Sequence, residues 1–291
     1  MRHLPRPVLT ALLTVYIVWG STYFAIQVAL TAMPPMMMIG TRFLVAGAIL
    51  YVWQKLRGAP NPTLREWRDG GLVGILMLGG GTGLTACAQQ YVSSGLTAVF
   101  IACSPMILSG LSGLFGDWPK RREWIGIFSG FIGAMLLASD HGFTAQPAGI
   151  FLLLGAILCW DVGSILSLKK LKMAKGGMGF ASEMLVGGLF LFIASLIKGE
   201  SMTGPMTMQA FAAWSYLVVA GSLLAFTAYM YLLSRVPTGL AASYAYVNPV
   251  IAVALGVSFG GEHLSGKATL AMAVILGSVM LLTTARKPAK T

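Results

Sequence analysis

The chain has 291 residues, of which 56% are hydrophobic and only 10% charged, and its formal net charge is +11. A soluble domain carries about 25% charged residues, so this chain cannot cover a water-facing surface, and its solvent is the lipid bilayer. The positive balance does not point to nucleic acid: the basic residues sit in short gaps between apolar runs, with no RNA-binding aromatic signature and no zinc-finger spacing, and they fit membrane orientation instead.

Runs of about 20 apolar residues mark membrane helices. Ten are read in chain order, at 8–31, 36–55, 70–91, 95–116, 123–139, 148–168, 178–197, 211–233, 239–260 and 266–285. The first follows Arg2 and Arg6 as a signal peptide would, but at about 23 residues it is too long for a signal core and reads as a span. Turn or charge signals separate the runs, among them Pro34-Pro35, Pro60–Pro62, Pro119–Arg122, Lys169–Lys175 and Pro237. The loops are too short for a soluble domain, which argues against a receptor or a membrane-tethered enzyme. Of the 20 Lys and Arg, Arg42 lies within a span. With the N-terminus inside, only Lys198 and Lys267 fall outside and all the others fall inside, which places both termini in the cytoplasm. Cys87, Cys103 and Cys159 lie inside apolar runs without metal or redox spacing and read as small buried hydrophobes. No metal site, cofactor motif or Walker sequence is present, which argues against ATP hydrolysis within the chain.

The two halves are copies. GLTAVFIACSPMILSGLSGLFG at Gly95–Gly116 aligns without a gap to GLAASYAYVNPVIAVALGVSFG at Gly239–Gly260. Gly133/Gly277 and Leu137/Leu281 keep the same offset, and Trp19/Trp160, Leu44/Leu185 and Gly47/Gly188 match at an offset three residues shorter. Each copy holds five spans, an odd number, so the second enters from the opposite face. The expected fold is an all-α membrane protein of ten transmembrane helices in two inverted five-helix repeats, at 1–140 and 148–286, with a cytoplasmic tail at 287–291. Such repeats suit alternating access around a midplane site, although duplication also occurs as plain architecture.

Pro105 and Pro249 fall in the middle of their spans, where proline removes one hydrogen bond and blocks the carbonyl four residues back, that of Ile101 or Ala245. A freed carbonyl has to face protein or a water-filled cavity. Tyr244 and Asn248 stand one turn apart on one face, and Phe100 and Ser104 are their counterparts. Both pairs suit the wall of a polar-organic cavity, but both prolines also suit simple bending. Tyr246 lies on the opposite face and reads as packing. Thr82, Thr85 and Gln89 form one polar stripe, and Ser222, Phe226 and Tyr229 another. Cavity lining and interhelical hydrogen bonding explain them equally well. Gly79-Gly80-Gly81 permits bending or close approach, and Gly126/Gly130 reads as tight packing within the chain. Trp19 and Trp160 occupy equivalent positions, which fits either a cavity wall or an interfacial belt.

Ionisable residues inside a span are expensive and mark function. Arg42, Asp161 and Glu183 are the three, and Arg42 aligns with Glu183 between the repeats. Their depths differ by roughly 10 Å at the helical rise, so a direct pair is allowed but not implied. Asp161 lies close in depth to Glu183, and two facing carboxylates would make a proton-coupling site. The competing expectations are that Asp161 pairs with a loop lysine and that Arg42 snorkels outward or binds carbonyls.

YIVWGSTYFAI (Tyr16–Ile26), PPMMMIGTRFLVAG (Pro34–Gly47), EMLVGG (Glu183–Gly188), AYMYLL (Ala228–Leu233), ASYAYVNPVIAVALG (Ala242–Gly256) and GGEHLS (Gly260–Ser265) span nearly the whole chain. With them the sequence resembles the ten-helix EamA family of the drug/metabolite transporter superfamily. The resemblance implies export of amino acids, related metabolites or drugs across a bacterial inner membrane. It also implies a cavity lined by spans one, three, four, six, eight and nine, with five and ten peripheral. The first half has Gly116-Asp117 where the family often has Gly-Glu, and the second keeps Gly261-Glu262. The reading is a secondary transporter whose small-molecule substrate meets Trp19, Gln89, Phe100, Ser104, Trp160, Tyr229, Tyr244 and Asn248. Lipid is its other partner, nucleic acid is not one, and monomer and homodimer both stay open. A lipid or carrier flippase, an intramembrane enzyme and an assembly protein are the alternatives. No catalytic residue is assigned, because His3, His141 and His263 all fall outside the spans.

Overall fold

A computed structural model of the chain describes residues 4–92, 97, 100–102, 104–139, 146–248, 250–251 and 265–284. Pro249, Cys103, Glu262 and the tail at 287–291 lie outside the described residues. The described chain is helical, with no strand: α1 Arg6–Leu30, α2 Pro35–Leu56, α3 Leu64–Ala88, α4 Ser104–Leu114, α5 Arg121–Ala138, α6 Pro147–Lys169, α7 Gly177–Lys198, α8 Met208–Arg235, α9 Thr238–Ala241 and α10 Gly266–Thr284. After a turn at Ala242 and Ser243 the chain of α9 is helical again over 244–248. Six of these helices, α1, α2, α3, α6, α7 and α8, are long and apolar enough to cross a membrane. α5 opens on Arg121, Arg122 and Glu123, and α10 contributes a shorter apolar stretch, Thr269–Leu282.

Local chemistry sets the helix ends. α2 and α6 begin on Pro35 and Pro147, at the first helical position, where the missing N–H is no loss. α3 starts earlier than the apolar run at 70. Thr63 Oγ1 accepts from Glu66 N at 3.3 Å while Glu66 Oε2 accepts from Thr63 N at 2.8 Å. This capping box makes the charged turn Leu64–Asp69 helical, a turn that hydropathy alone passes over. Pro105 is also placed differently from the mid-helix kink expected. Ala102 is in a turn and α4 starts afresh at Ser104, so the proline stands in a first turn and breaks no helical bond.

α3 and α8 share a further feature. The middle of each is π-helical, over Ile75–Gly83 and Leu217–Phe226. A π turn is wider than an α turn and is most often found at functional positions.

Glycines set how the helices meet. α2 and α7 cross antiparallel at the centre. A methyl on Gly40 would fall 2.8 Å from Phe192 N and 3.1 Å from Gly188 O, and one on Gly47 3.0 Å from Leu185 N. α5 and α10 also run antiparallel, with Gly126 against Leu282 and Gly133 against Ile275, and Gly126/Gly130 pack within the chain as expected. Tyr246 packs as well, donating to Ile127 O at 2.9 Å. The remaining contacts come in corresponding sets: α3 packs on α6 as α8 packs on α1, and α3 on α7 as α8 on α2. Small residues allow this close approach, which drives helix association in lipid.

Gly74 of α3 is the tightest such position: an added methyl would meet Glu183 O at 2.1 Å. Gly74→Ala is expected to destabilise the detergent-purified protein by about 1–3 kcal/mol. Gly110→Ala, with nothing within 4 Å, should be neutral or slightly stabilising. Equal thermal-unfolding midpoints for the two variants would refute the packing described here.

Candidate functional site

α1, α2, α3, α4, α6, α8 and the helical turns of α9 enclose a cavity of about 110 Å³. A buried water needs roughly 10–15 Å³, so the space holds several waters or a small organic group. α1 supplies Trp19, Thr22, Tyr23 and Ile26, spaced one and two turns apart on one face. α3 supplies Leu78, Gly81, Thr82 and Thr85, α6 supplies Ala156, Ile157 and Trp160, and α8 supplies Gly221 and Phe226. Arg42 and Phe43 bring α2 into the lining, beyond the six helices expected. Ile101, Ser104, Tyr244 and Asn248 complete it.

Four aromatic rings close one side. Trp19 lies 5.5 Å from Trp160, 5.2 Å from Tyr229 and 4.7 Å from Tyr244, and Tyr229 lies 5.4 Å from Trp160 and 5.5 Å from Tyr244. The rings meet edge-on or tilted, the arrangement that their quadrupoles favour. Trp160 Nε1 donates to the Tyr229 hydroxyl at 3.3 Å, and that hydroxyl also bonds Ser164 Oγ at 3.1 Å. Below the rings the Tyr16 hydroxyl bonds Ser243 Oγ at 2.6 Å.

The two tryptophans stand in reciprocal settings. Trp19 donates from Nε1 to Gly221 O at 3.2 Å, on the π-helical segment of α8. Trp160 lies over Gly81, on the π-helical segment of α3, where a methyl would fall 2.9 Å from Cε3. Each tryptophan thus rests on a glycine of the other half, and this favours the cavity wall over the interfacial belt.

Of the residues read from sequence, Trp19, Ser104, Trp160, Tyr244, Asn248 and Arg42 come together at the cavity. Tyr229 is fully buried behind it. Gln89 and Phe100 are not in the lining. Gln89 caps the end of α3, and Phe100 packs beside Ala88, Val92 and Leu153. Thr22, Tyr23, Ile26 and Phe43 were missed. The signal for the α1 set is the spacing of Tyr23 and Ile26 from Trp19. The polar stripe of α8 divides: Phe226 lines the cavity while Ser222 bonds Arg42.

The charged groups stay apart. Arg42 Nε donates to Ser222 Oγ at 2.7 Å, and its guanidinium lies 4.9 Å from the Phe43 ring centre. It forms no ion pair with Glu183, does not snorkel, and binds no carbonyl among the described residues. Asp161 accepts from Ser104 Oγ at 2.7 Å through Oδ1 rather than pairing with a lysine, and its Oδ2 has no hydrogen-bond partner among the described residues. Glu183 is buried beside Gly74, and neither carboxyl oxygen has a hydrogen-bond partner among the described residues. No contact joins Asp161 to Glu183, so the facing carboxylates expected from depth are not formed.

A second cavity, of about 420 Å³, lies farther along the same helices. On α6 the order runs from Trp160 through Ser164 to Lys169, on α8 from Phe226 through Tyr229 to Arg235, and on α4 from Ser104 to Ser112. The aromatic cluster therefore separates the two cavities. Lys169 of α6 forms an ion pair there with Asp117, at the Gly-Asp departure noted above.

Membrane-crossing helices that pack in corresponding sets around an apolar, aromatic-walled cavity with a few polar groups define a membrane transporter. The chain belongs to the EamA-like transporter family, whose profile matches residues 6–139 and again 147–284. It is 42% identical over 278 residues to the inner membrane transporter YedA of Escherichia coli, covering 95% of this chain and 90% of that protein. It is 26% identical to the "Probable amino-acid metabolite efflux pump" of Salmonella typhimurium, over 91% of this chain and 90% of that one. A crystal structure covering 96% of each chain matches with a TM-score of 0.75 at 20% identity, which shows the same fold.

Tyr229→Phe leaves the Trp160 indole without its acceptor. Interhelical bonds of this kind contribute roughly 0.6–1.7 kcal/mol in membrane proteins. The expected outcome is a loss of that order in thermal unfolding together with a shift in tryptophan emission; unchanged emission and midpoint would show that the hydroxyl does not hold the cluster.

Proposed function

We propose that the protein is a secondary transporter that exports small metabolites, amino acids or related compounds and drugs among them, across the inner membrane by alternating access. Ten spans in two inverted repeats would rock around the cavity, with both termini in the cytoplasm. The observation that carries this reading is the position of the aromatic cluster between two cavities on the same helices. A barrier with a chamber on either side is what alternating access requires. The antiparallel pairing of α2 with α7 and of α5 with α10 supports the inversion, because these are the corresponding helices of the two halves. The name of the Salmonella relative supports an amino-acid metabolite as cargo.

The substrate would meet Trp19, Trp160 and Tyr244 as walls and Ser104 and Asn248 as polar contacts. Glu183 is the residue for proton coupling, with Asp161 second. A buried carboxyl without donor or counter-ion is expensive in lipid and is kept for a task, and Glu183 is of this kind in both oxygens.

The first experiment compares a deletion strain with an overexpressing strain in a metabolite and drug tolerance screen, followed by efflux assays on the hits. With a hit in hand, Trp160→Ala and Asn248→Ala should each reduce proteoliposome flux by at least ~10-fold, a transition-state loss of about 1.4 kcal/mol. Gln89→Ala and Phe100→Leu should stay near wild type; equal losses in all four would place the site elsewhere. Glu183→Gln should abolish the response of flux to a pH gradient, and coupling that persists in both this variant and Asp161→Asn would remove protons from the mechanism.

A further inference from the structure

Arg42 is 4% exposed and lines the cavity, yet no carboxylate among the described residues pairs with it. Its Nε is held by Ser222 Oγ, and its terminal nitrogens make no hydrogen bond among the described residues. The space for them is built in: a methyl on Gly221 would sit 2.8 Å from Arg42 Nη2. A guanidinium cannot lose its charge and presents a planar fork that matches a carboxylate. A charge fixed in this way at a lipid-embedded cavity, with no counter-ion among the described residues, calls for one from outside.

A second unmatched group faces the same space. Asn248 is 2% exposed, and its Oδ1 has no donor among the described residues. An unmatched buried acceptor costs free energy until a donor arrives. Thr22 lies beside the Arg42 fork, and Tyr23, the next residue on α1, lines the same cavity as Asn248. The rings of Trp19, Trp160 and Tyr244 line the same cavity.

We propose that Arg42 is the anion-binding residue of the substrate site and that the cargo is a small carboxylate with an apolar body, carrying a hydrogen-bond donor for Asn248. This rests on the transport reading above and narrows its substrate class. Three probes separate the contributions: phenylalanine has both groups, 3-phenylpropionate only the carboxylate, and phenethylamine only the donor. Binding is followed by tryptophan emission of the full-length protein in nanodiscs, and flux by counterflow of the same probes in proteoliposomes.

Wild type is expected to bind phenylalanine most tightly, 3-phenylpropionate next, and phenethylamine at least ~10-fold more weakly, because one charged hydrogen bond of this kind corresponds to about 1.5–3 kcal/mol. Arg42→Gln should remove the advantage of both carboxylates, Arg42→Lys should restore part of it, and Gly221→Ala, which displaces the fork but keeps its charge, should fall between. The wild-type ranking needs no variant, so it decides the matter even if Arg42→Gln does not fold. Phenethylamine binding as tightly as the carboxylates, no binding by either carboxylate, or unchanged carboxylate affinity in Arg42→Gln overturns the proposal. Carboxylate flux that survives Arg42→Gln unchanged would overturn the anion site and leave transport standing. Carboxylate binding without any flux would do the reverse.

Discussion

In lipid there is no hydrophobic gain from bringing two apolar helices together, so their association depends on how closely the backbones approach. The crossing of α2 and α7, with Gly40 against Gly188 and Gly47 against Leu185, is where this chain meets that condition most fully. The other placements depend on it. α3 lies along α7 through Gly74 and Gly187, and α8 lies along α2 beside Arg42. Fixing these pairs brings α1 and α6 across the bundle with their tryptophans facing, and the cavity is what remains between them.

The π-helical segments turn that scaffold into a site. A regular helix keeps a constant phase along its length, whereas an inserted wide turn rotates everything that follows. In α3 and α8 the wide turns fall beside the cavity, bringing Gly81 under the Trp160 ring and the Gly221 carbonyl within reach of Trp19 Nε1. The Trp160 ring lies over the bare backbone of Gly81, while the space beside Gly221 is taken by Arg42 and Thr22 and its carbonyl holds the Trp19 indole N–H.

Much of the fold was legible because the bilayer imposes a length and a hydropathy that sequence shows directly. The runs predicted at 148–168 and 178–197 correspond to α6 and α7. The site was legible where duplication marked it, as with Trp19 and Trp160, and where a polar residue stood on one face with an aromatic, as with Tyr244 and Asn248. It failed where phase was assumed to be regular. Gln89 was extrapolated along α3 through a π-helical stretch and past the helix end. Phe100 was placed with Ser104 as if one helix joined them, but the chain turns at Ala102 and sends the two to different neighbours. Arg42 and Glu183 align because they are equivalent positions, and equivalence about an axis is not contact: one binds Ser222, and the other is enclosed beside α3.

The exchange of support between the tryptophans and glycines has a consequence for how such a protein changes over generations. Trp160 reads the surface of α3 in the first half, and Trp19 reads that of α8 in the second. A substitution at either glycine is felt by the opposite half, and its remedy has to arise there. A change at either glycine therefore involves both halves of the chain. A chimera that joins one half to a foreign partner inherits tryptophans shaped for glycines it no longer has.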